Sequence, residues 1–270
     1  RAEEGVMAIG LIVTYLVVDI DLTQDHANTN MLYFPDSDIG GYYDELEAGR
    51  FPSIIDEKGP FTFIAMASRK DPGQPHLCPP GYTNFQIMTM APRGYSVWGV
   101  DEGPAEGAKY RLNSDYRGRK EWITERMIET AEKILGPFRD HIVHQETATP
   151  LTQERYTLST GGTSYGLRFN PGQERAPYRS EIEGLYFVGA STVSGHGIGG
   201  AMVGGLLCAG EILNRPLIME VMTGQQLVDP ASIPEDPPDF DPYEFSRGAA
   251  LRMRRQEGRM RRAERAAAGT

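Results

Sequence analysis

Glycine is concentrated in one stretch of this 270-residue chain, and that stretch has the residue types for ligand chemistry. Nine of the residues from Gly184 to Gly210 are glycine, against 31 in the whole chain. Glycines at this density let the backbone approach a bulky, rigid group and leave N–H groups free to face it. A helix that begins near Gly197 would also direct the positive end of its dipole at that group. The stretch therefore predicts a site for a ligand that carries phosphate, or for a ring that accumulates negative charge.

The same stretch has the spacing of a dinucleotide fingerprint but not its position. Gly195 to Gly200 reads GHGIGG, which satisfies G-x-G-x-x-G. The fingerprint requires its first glycine directly after a strand. Here residues 189–194 separate that glycine from Val188, the end of the predicted strand, so we do not assign the fingerprint. A purely structural alternative stays open, in which the glycines let a helix pack tightly against a sheet.

The elements that must position this stretch follow from hydrophobic periodicity. The sequence GLYFV at Gly184–Val188 is typical of a short buried strand, and apolar residues at helical spacing predict a helix over about Gly197–Leu213 that buries one face. A second helix is expected over Tyr116–Leu135, capped by Asp115 and ended by Gly136-Pro137. Further strands are expected at Val13–Leu22, Met31–Phe34, Phe61–Ser68 and Tyr82–Ala91, with a helical turn at Tyr42–Ala48.

The overall composition is that of a folded protein rather than of a nucleic-acid-binding one. Hydrophobic residues make up 40% of the chain and the net charge is −10, whereas binding to a phosphate backbone needs clustered positive charge. Two cysteines, Cys78 and Cys208, are too few for a disulfide scaffold, so we expect a reducing, cytoplasmic location. No apolar run reaches the ~18 residues of a membrane-spanning helix.

The two ends of the chain differ from the rest. Asp229–Phe245 is acidic and rich in proline, which predicts a linker, and Arg247–Arg265 carries eight arginines, which predicts a terminal helix. That helix is either solvated and balanced by the acidic linker, or in contact with an anionic membrane surface. The chain starts at Arg1 rather than at Met, from which we expect a fragment or a processed subunit.

Other catalytic chemistry has little support in the sequence. His141 and His144 have a spacing that metal sites use, but no cysteine or carboxylate cluster accompanies them, so no metal is expected. No serine elbow or Cys–His arrangement points to nucleophilic catalysis.

The segment Gly184–Leu213, GLYFVGASTVSGHGIGGAMVGGLLCAGEIL, resembles the C-terminal cofactor segment of the phytoene desaturase, carotenoid isomerase and retinol saturase group of flavoproteins. Upstream, Ala148–Thr152, Tyr156 and Gly162–Gly166 resemble the group's TP…GxxYG stretch. The resemblance covers about Gly10–Leu213. It implies an FAD-dependent oxidoreductase that acts on C–C or C=C bonds of an apolar, isoprenoid or carotenoid-like substrate by desaturation, saturation or isomerisation.

The resemblance also implies a fold and a set of site residues. The fold would be α/β, with an α+β substrate-binding domain and mixed sheet in residues 1–147. Residues 148–215 would return to the FAD-binding domain as the strand–turn–helix of a two-dinucleotide-binding-type fold, and residues 216–270 would be linker and tail. On the substrate side we expect Arg155 and Tyr165 to supply polar groups, with a purely structural role as the open alternative for each. The residues expected to contact FAD are Gly189, Ala190, Ser191, Gly195, His196, Gly197, Ile198, Gly199, Gly200 and Ala201.

Two departures from the group's pattern matter for the cofactor. The group's N-terminal βαβ unit is missing from this sequence, so the adenosine half of FAD has no evident binding site. Gly189-Ala190 also lacks the Asp that some members place after the glycine, so Ser191 or backbone N–H groups would serve instead. We therefore expect the chain to need an N-terminal FAD domain or a partner subunit, and to bind FAD weakly or not at all when it is alone. The alternatives are an amine-oxidase-like flavoprotein, a non-catalytic subunit that completes another chain's flavin site, and a lipophile-binding module.

Overall fold

An antiparallel sheet of five strands organises the first part of the chain. A computed structural model describes residues 5–24, 26, 28–74, 76–103, 109–168 and 174–240. The strand order in the sheet is β2-β3-β4-β1-β5, and every neighbouring pair is antiparallel. The strands are β1 (Leu11–Val18), β2 (Met31–Tyr33), β3 (Thr62–Met66), β4 (Thr83–Met90) and β5 (Ile142–Ala148). The expectation of a mixed sheet is therefore wrong, while the broader α/β expectation is consistent with the described elements.

The described residues form seven α-helices, which lie between and after the strands along the sequence. They are α1 (Ile39–Glu47), α2 (Ile55–Lys58), α3 (Ala67–Lys70), α4 (Ser114–Leu135), α5 (Pro150–Thr157), α6 (Gly197–Leu213) and α7 (Leu217–Met222). Short 3-10 turns lie at Ser96–Trp98, Lys109–Leu112, Arg139–His141, Thr160–Gly162 and Pro230–Ser232.

The hydrophobic core lies between one face of the sheet and α4. Alternate residues of β1 are buried, because successive side chains of a strand point to opposite faces. Leu16 of β1 lies opposite Phe85 of β4, and both are fully buried. Ile123 and Met127, four residues apart on α4, are buried in the same core cluster. This packing holds the strands from which the candidate site extends.

Helix α4 ends where predicted, at Leu135, but it begins at Ser114, two residues before the predicted start, and a different residue caps it. The side chain of Asn113 accepts hydrogen bonds from the N–H groups of Asp115 and Tyr116, so the cap is Asn113 rather than Asp115. Asp115 instead lies in the first turn, where a carboxylate favours the helix dipole. The helix ends at Gly136, which has a positive φ of 79°, as its sequence predicted.

The predicted strand at Gly184–Val188 is wrong. Tyr186 forms only an isolated bridge with Arg179, and the neighbouring Phe187 and Val188 are 43% and 59% exposed. Beside it lie only residues 178–180: the N–H of Phe187 donates to the carbonyl of Tyr178 at 2.7 Å, and the N–H of Ser180 donates to the carbonyl of Leu185 at 3.1 Å. This contact is too short for a strand, which needs a neighbour along its length. The segment is apolar, as the prediction of a buried strand assumed, but its apolar side chains are exposed to solvent.

The predicted helix at Gly197–Leu213 is confirmed with those bounds, and Asn214 ends it with a positive φ of 50°. Its predicted burial is wrong. The buried residues of α6 are Gly204, Cys208 and Gly210, whereas the apolar residues from Ile198 to Leu213 that we expected to face a sheet are largely exposed. No described sheet covers that face.

Contacts divide the chain into two units, Arg1–Met222 and Thr223–Thr270. In the described part of the second unit, Asp229 caps the turn Pro230–Ser232, and its residues are exposed. The helix predicted at Arg247–Arg265 lies outside the described residues. Across the described ranges, no helix combines the length and the apolar character needed to cross a bilayer.

Candidate functional site

The candidate site is attached to the sheet through the residues that precede β1. Residues 163–168 run antiparallel to this segment, with bridges from Gly10 to Thr163 and from Met7 to Leu167. The side chain of Gln153 on α5 secures both sides, donating to the carbonyl of Leu11 at 2.8 Å and accepting from the hydroxyl of Ser164 at 2.8 Å. The TP…GxxYG stretch and the edge of the sheet therefore form one framework.

The glycine-rich turn consists of two consecutive tight turns, Gly189–Thr192 and Thr192–Gly195. The N–H of Thr192 donates to the carbonyl of Gly189 at 3.1 Å, and the N–H of Gly195 donates to the carbonyl of Thr192 at 3.3 Å. The hydroxyl of Thr192 also donates to the Gly189 carbonyl at 2.7 Å. Gly189 and Gly195 have positive φ values of 107° and 87°, a conformation that favours glycine. The turn is thus a defined structure built from its own hydrogen bonds.

Ser191 joins this turn to the framework. Its hydroxyl accepts a hydrogen bond from the N–H of Leu167 at 3.3 Å. Gly166 approaches the same hydroxyl so closely that a Cβ there would collide with it. Ser191, which we expected at the cofactor, therefore also fixes the position of the turn.

The N-terminus of α6 follows the turn and is open. His196 precedes the helix in an extended conformation and provides no side-chain cap. The first N–H groups of a helix have no partner within it, so those of Gly197, Ile198 and Gly199 require an external acceptor. The side chain of Ile198 is 84% exposed. This end of α6 thus presents unpaired donors and the positive end of a helix dipole at the surface.

The glycines of the first turn of α6 are not equivalent. A Cβ at Gly199 would meet no heavy atom within 4 Å. A Cβ at Gly200 would lie 3.1 Å from the carbonyl carbon and 3.2 Å from the carbonyl oxygen of Gly195. The start of α6 therefore packs tightly against the glycine-rich turn at Gly200, whereas no contact within the described residues requires a glycine at position 199. The structural alternative placed this tight packing against a sheet, and the partner here is the turn.

The structure brings Tyr165 and His196 together. Their ring centroids are 4.4 Å apart with an interplanar angle of 38°. Tyr165 is 40% exposed and belongs to the framework, while His196 immediately precedes α6. A residue expected on the substrate side and one expected at the cofactor therefore form one partly exposed aromatic pair beside the helix end.

Arg155, the other residue expected on the substrate side, lies on α5. Its guanidinium carbon is 5.3 Å from the ring centroid of Tyr156, and its Nη1 is buried without a hydrogen-bond partner among the described residues. The structure thus pairs Arg155 with its neighbour on the helix, and Tyr165 is the residue that reaches the turn.

Sequence reasoning missed Arg175, which binds the turn directly. Its Nη1 donates to the carbonyls of Ala190 at 2.9 Å and Thr192 at 3.0 Å, and its Nη2 donates to the carbonyl of Leu167 at 2.7 Å. Burial lowers the pKa of the Arg175 guanidinium. Nothing in the sequence marks this arginine, because its acceptors are backbone carbonyls that any residue could supply.

A second missed feature is the hydrogen bond from the Tyr95 hydroxyl to Oε1 of Glu154, 2.9 Å long. Glu154 is buried, and its Oε2 has no hydrogen-bond partner among the described residues. Burial, together with the hydrogen bond to Glu154, raises the pKa of Tyr95 to about 12. Tyr95 precedes the turn Ser96–Trp98 and Glu154 lies on α5, so the hydrogen bond joins these two elements. Glu154 also holds the Gly161 turn, since the Gly161 N–H donates to Oε1 at 3.4 Å.

An exposed apolar face extends from the helix end along α6. We call it the α6 face. It comprises the segment before the turn and the outward residues of the helix, all more than a third exposed: Leu185, Phe187, Val188, Val193, Ile198, Met202, Val203, Ile212 and Leu213. This many exposed apolar residues on one helix and on the segment before it indicate an interaction site.

Comparison with known proteins shows the class of protein to which this chain is similar. No protein-family model matches the chain. The all-trans-retinol 13,14-reductase of Danio rerio is 27% identical over 201 residues, which is 72% of this chain and 32% of that protein. Prolycopene isomerase 2, chloroplastic, of an Oncidium hybrid cultivar is 30% identical over 143 residues, 51% of this chain and 22% of that protein. The 4,4'-diaponeurosporene oxygenase of Staphylococcus haemolyticus is 27% identical over 191 residues, 69% of this chain and 33% of that protein.

These similarities confirm the resemblance drawn from the glycine-rich segment. The chain is similar to the C-terminal part of carotenoid- and retinoid-modifying oxidoreductases. It spans about a third of the length of the retinol reductase that it matches.

Proposed function

We propose that this chain is the part of an FAD-dependent oxidoreductase that closes over the flavin and faces an apolar substrate. The observation that carries the proposal is the open N-terminus of α6, reached through a rigid glycine-rich turn and left without a side-chain cap. Such an end binds an anionic or electron-rich group through backbone N–H donors and the helix dipole.

The residues present fit one part of FAD. The donors are backbone N–H groups of the turn and of the first turn of α6, and the open space at Gly199 lets a flat, rigid group approach them. Residues 189–191 and 195–201, those expected from the resemblance, would hold it. FAD, when bound, supplies electron-pair transfer to or from a carbon–carbon bond of the substrate. The chain positions the cofactor and stabilises negative charge on it.

The aromatic pair Tyr165–His196 would lie where the cofactor and the substrate meet. Both rings are beside the helix end, and each combines an apolar face with a polar edge. The pair would pack against an apolar substrate while directing a hydroxyl or ring nitrogen toward the cofactor. Arg155 would act further out on α5, as a polar group toward the substrate.

A second protein surface is needed to complete this site. The α6 face is apolar and exposed, and the strand expected at Gly184–Val188 has no neighbour beyond its short contact with residues 178–180. Both would be buried if a flavin-binding domain, in the same protein or in a partner subunit, supplied that neighbour. In this arrangement residues 1–147 bind substrate, residues 148–215 join the flavin-binding domain, and residues 216–270 form a linker and tail.

The substrate class follows from the relatives. Their names give all-trans-retinol, prolycopene and 4,4'-diaponeurosporene, which are long and apolar. We propose a retinoid- or carotenoid-like substrate for this chain, changed by desaturation, saturation or isomerisation. The proposed location is cytoplasmic, with peripheral contact to the membrane in which such a substrate dissolves.

The proposal is tested on the chain itself by titrating the ¹⁵N-labelled protein with FAD and following amide chemical shifts. We expect weak binding, with the shift changes concentrated at Ser191–Ala201. ADP and riboflavin, titrated separately, show which half of FAD is bound. No response to FAD, or a response confined to other residues, would contradict the proposal.

The reaction is tested on the assembled protein. An in-frame Gly-rich βαβ unit in the coding region upstream of Arg1, or a co-purifying flavoprotein, supplies the second surface. We expect the assembly to retain FAD in stoichiometric amounts and to convert all-trans-retinol or prolycopene. A chain that is stoichiometrically yellow when purified alone would show that no second surface is needed.

A further inference from the structure

Arg175 determines which way the peptide groups of the glycine-rich turn face. Every peptide bond in the described part of the chain is trans. In a trans peptide the C=O of one residue and the N–H of the next point in opposite directions. The carbonyls of Ala190 and Thr192 both accept from Nη1 of Arg175. The N–H groups of Ser191 and Val193 must therefore point away from the guanidinium.

The third hydrogen bond of Arg175 shows the same opposed arrangement of a carbonyl and the next N–H. Its Nη2 donates to the carbonyl of Leu167, and the next N–H, that of Arg168, donates to the carbonyl of Val6 at 2.8 Å. There the outward N–H has an acceptor in the strand-like segment before β1. At Val193 the N–H faces the carbonyl of Ala176, because the parallel bridge between Ala176 and Thr192 requires this pairing when residue 177 is proline. At Ser191 the N–H has no acceptor among the described residues, so one donor is left available on the side of the turn opposite Arg175.

We propose that Arg175 is the positioning residue of the cofactor site: by holding the carbonyls of Ala190 and Thr192 it fixes the turn so that the N–H of Ser191, with the start of α6, faces the anionic or electron-rich part of the ligand. This inference rests on the proposed flavin function for the identity of the ligand, FAD. It does not rest on that function for the conformation of the turn.

The guanidinium suits this role better than any other cation. Arginine presents several N–H donors in a rigid planar fork, so one side chain reaches carbonyls from two segments. The same three hydrogen bonds tie the turn to the framework segment at Leu167. A lysine at this position would keep the positive charge, but its single ammonium could not bind the turn carbonyls and the Leu167 carbonyl at the same time.

The test compares Arg175→Gln and Arg175→Lys with the control Arg179→Gln. Arg179 lies four residues away, and its guanidinium is over the ring of Tyr186 at 5.8 Å, so the control removes the same charge from the same segment. Amide chemical shifts are recorded first without ligand. We expect both Arg175 variants to shift the amides of Ser191 and Val193 while the signals of the sheet stay unchanged, and we expect the control to leave both amides in place.

FAD is then titrated into all four proteins below their unfolding temperatures. We expect binding to Arg175→Gln to weaken roughly tenfold or more, the effect of losing charge-assisted hydrogen bonds, and binding to the control to match the parent. If Arg175→Gln leaves the turn amides and the FAD response unchanged, the inference is wrong and the proposed function stands. If the parent does not respond to FAD, the proposed function fails, while the ligand-free spectra still decide whether Arg175 shapes the turn.

Discussion

Alanine substitutions at Gly199 and Gly200 should have opposite effects on the stability of the chain, although the two residues are adjacent. At Gly199 the new Cβ would meet no atom within 4 Å, so the substitution only reduces the freedom of the unfolded chain and improves helix propensity. Such a change stabilises a protein by about 0.4–1 kcal/mol. For a protein of this size that corresponds to a rise in Tm of roughly 1–4 °C.

At Gly200 the new Cβ would lie 3.1 Å and 3.2 Å from backbone atoms of Gly195. Backbone atoms in a hydrogen-bonded turn cannot move aside as a flexible side chain can, so the substitution overpacks the junction. Overpacking costs about 1–3 kcal/mol, which exceeds the gain in helix propensity. We therefore expect Gly200→Ala to be less stable than the parent and Gly199→Ala to be more stable.

Flavin binding should separate the same variants in a different way. The proposed ligand approaches the first turn of α6 through the open space at Gly199, so a methyl group there should weaken FAD binding even as it stabilises the fold. Gly205 provides the matched control. It lies on the same helix, its Cβ would also meet no atom within 4 Å, and it is remote from the helix end. Gly205→Ala should stabilise the chain and leave FAD binding unchanged.

The measurements are thermal unfolding of the chain alone and FAD affinity of the assembled protein. If Gly199→Ala and Gly205→Ala have equal FAD affinity, the open space at Gly199 is not the approach to the ligand. If Gly199→Ala lowers Tm, the steric reasoning itself is wrong.

Two further predictions concern α5 and the α6 face. Tyr95→Phe leaves the buried Oε1 of Glu154 with only the 3.4 Å hydrogen bond from Gly161, and should destabilise the chain by about 1–3 kcal/mol in urea unfolding. Because the pKa of Tyr95 is raised from 10.0 to about 12, its stabilising contribution should be complete below pH 10 and lost as the pH rises toward 12, which phenolate absorbance would follow. If the Tyr95 phenol titrated near pH 10, the raised pKa of Tyr95 and its hydrogen bond to Glu154 would be contradicted. The double substitution of Ile198 and Met202 by Ser should change the stability of the chain by less than about 0.5 kcal/mol, since both side chains are exposed. It should nevertheless abolish assembly with the flavin-binding domain in size-exclusion chromatography, while Glu211→Gln should not; retained assembly would show that the α6 face is not the contact surface.

Helices α4 and α6 and strands β1 to β4 could be predicted because their signals are local, whereas β5 and the short helices α2, α3, α5 and α7 were not predicted. Helix α6 has its predicted bounds because Asn214 and Pro216 end an apolar run, and α4 ends at Gly136 because a glycine there adopts the positive φ that closes a helix. The alternation in Tyr82–Ala91 likewise predicted β4, since the buried residues of that strand recur at every second position. In each case the deciding residues lie within a few positions of the element itself.

What only the tertiary structure decided depends on contacts between distant segments. The apolar run at Gly184–Val188 has the composition of a buried strand, but a strand forms only beside a neighbour along its length, and the described residues supply only the short contact at residues 178–180. The pairing of Tyr165 with His196 and the three carbonyls bound by Arg175 join segments that no short-range pattern connects. The sequence by itself therefore determined that a glycine-rich turn leads into a helix. The tertiary structure decided which way that turn faces, because the direction of a peptide group is set by the partner that its carbonyl finds in space.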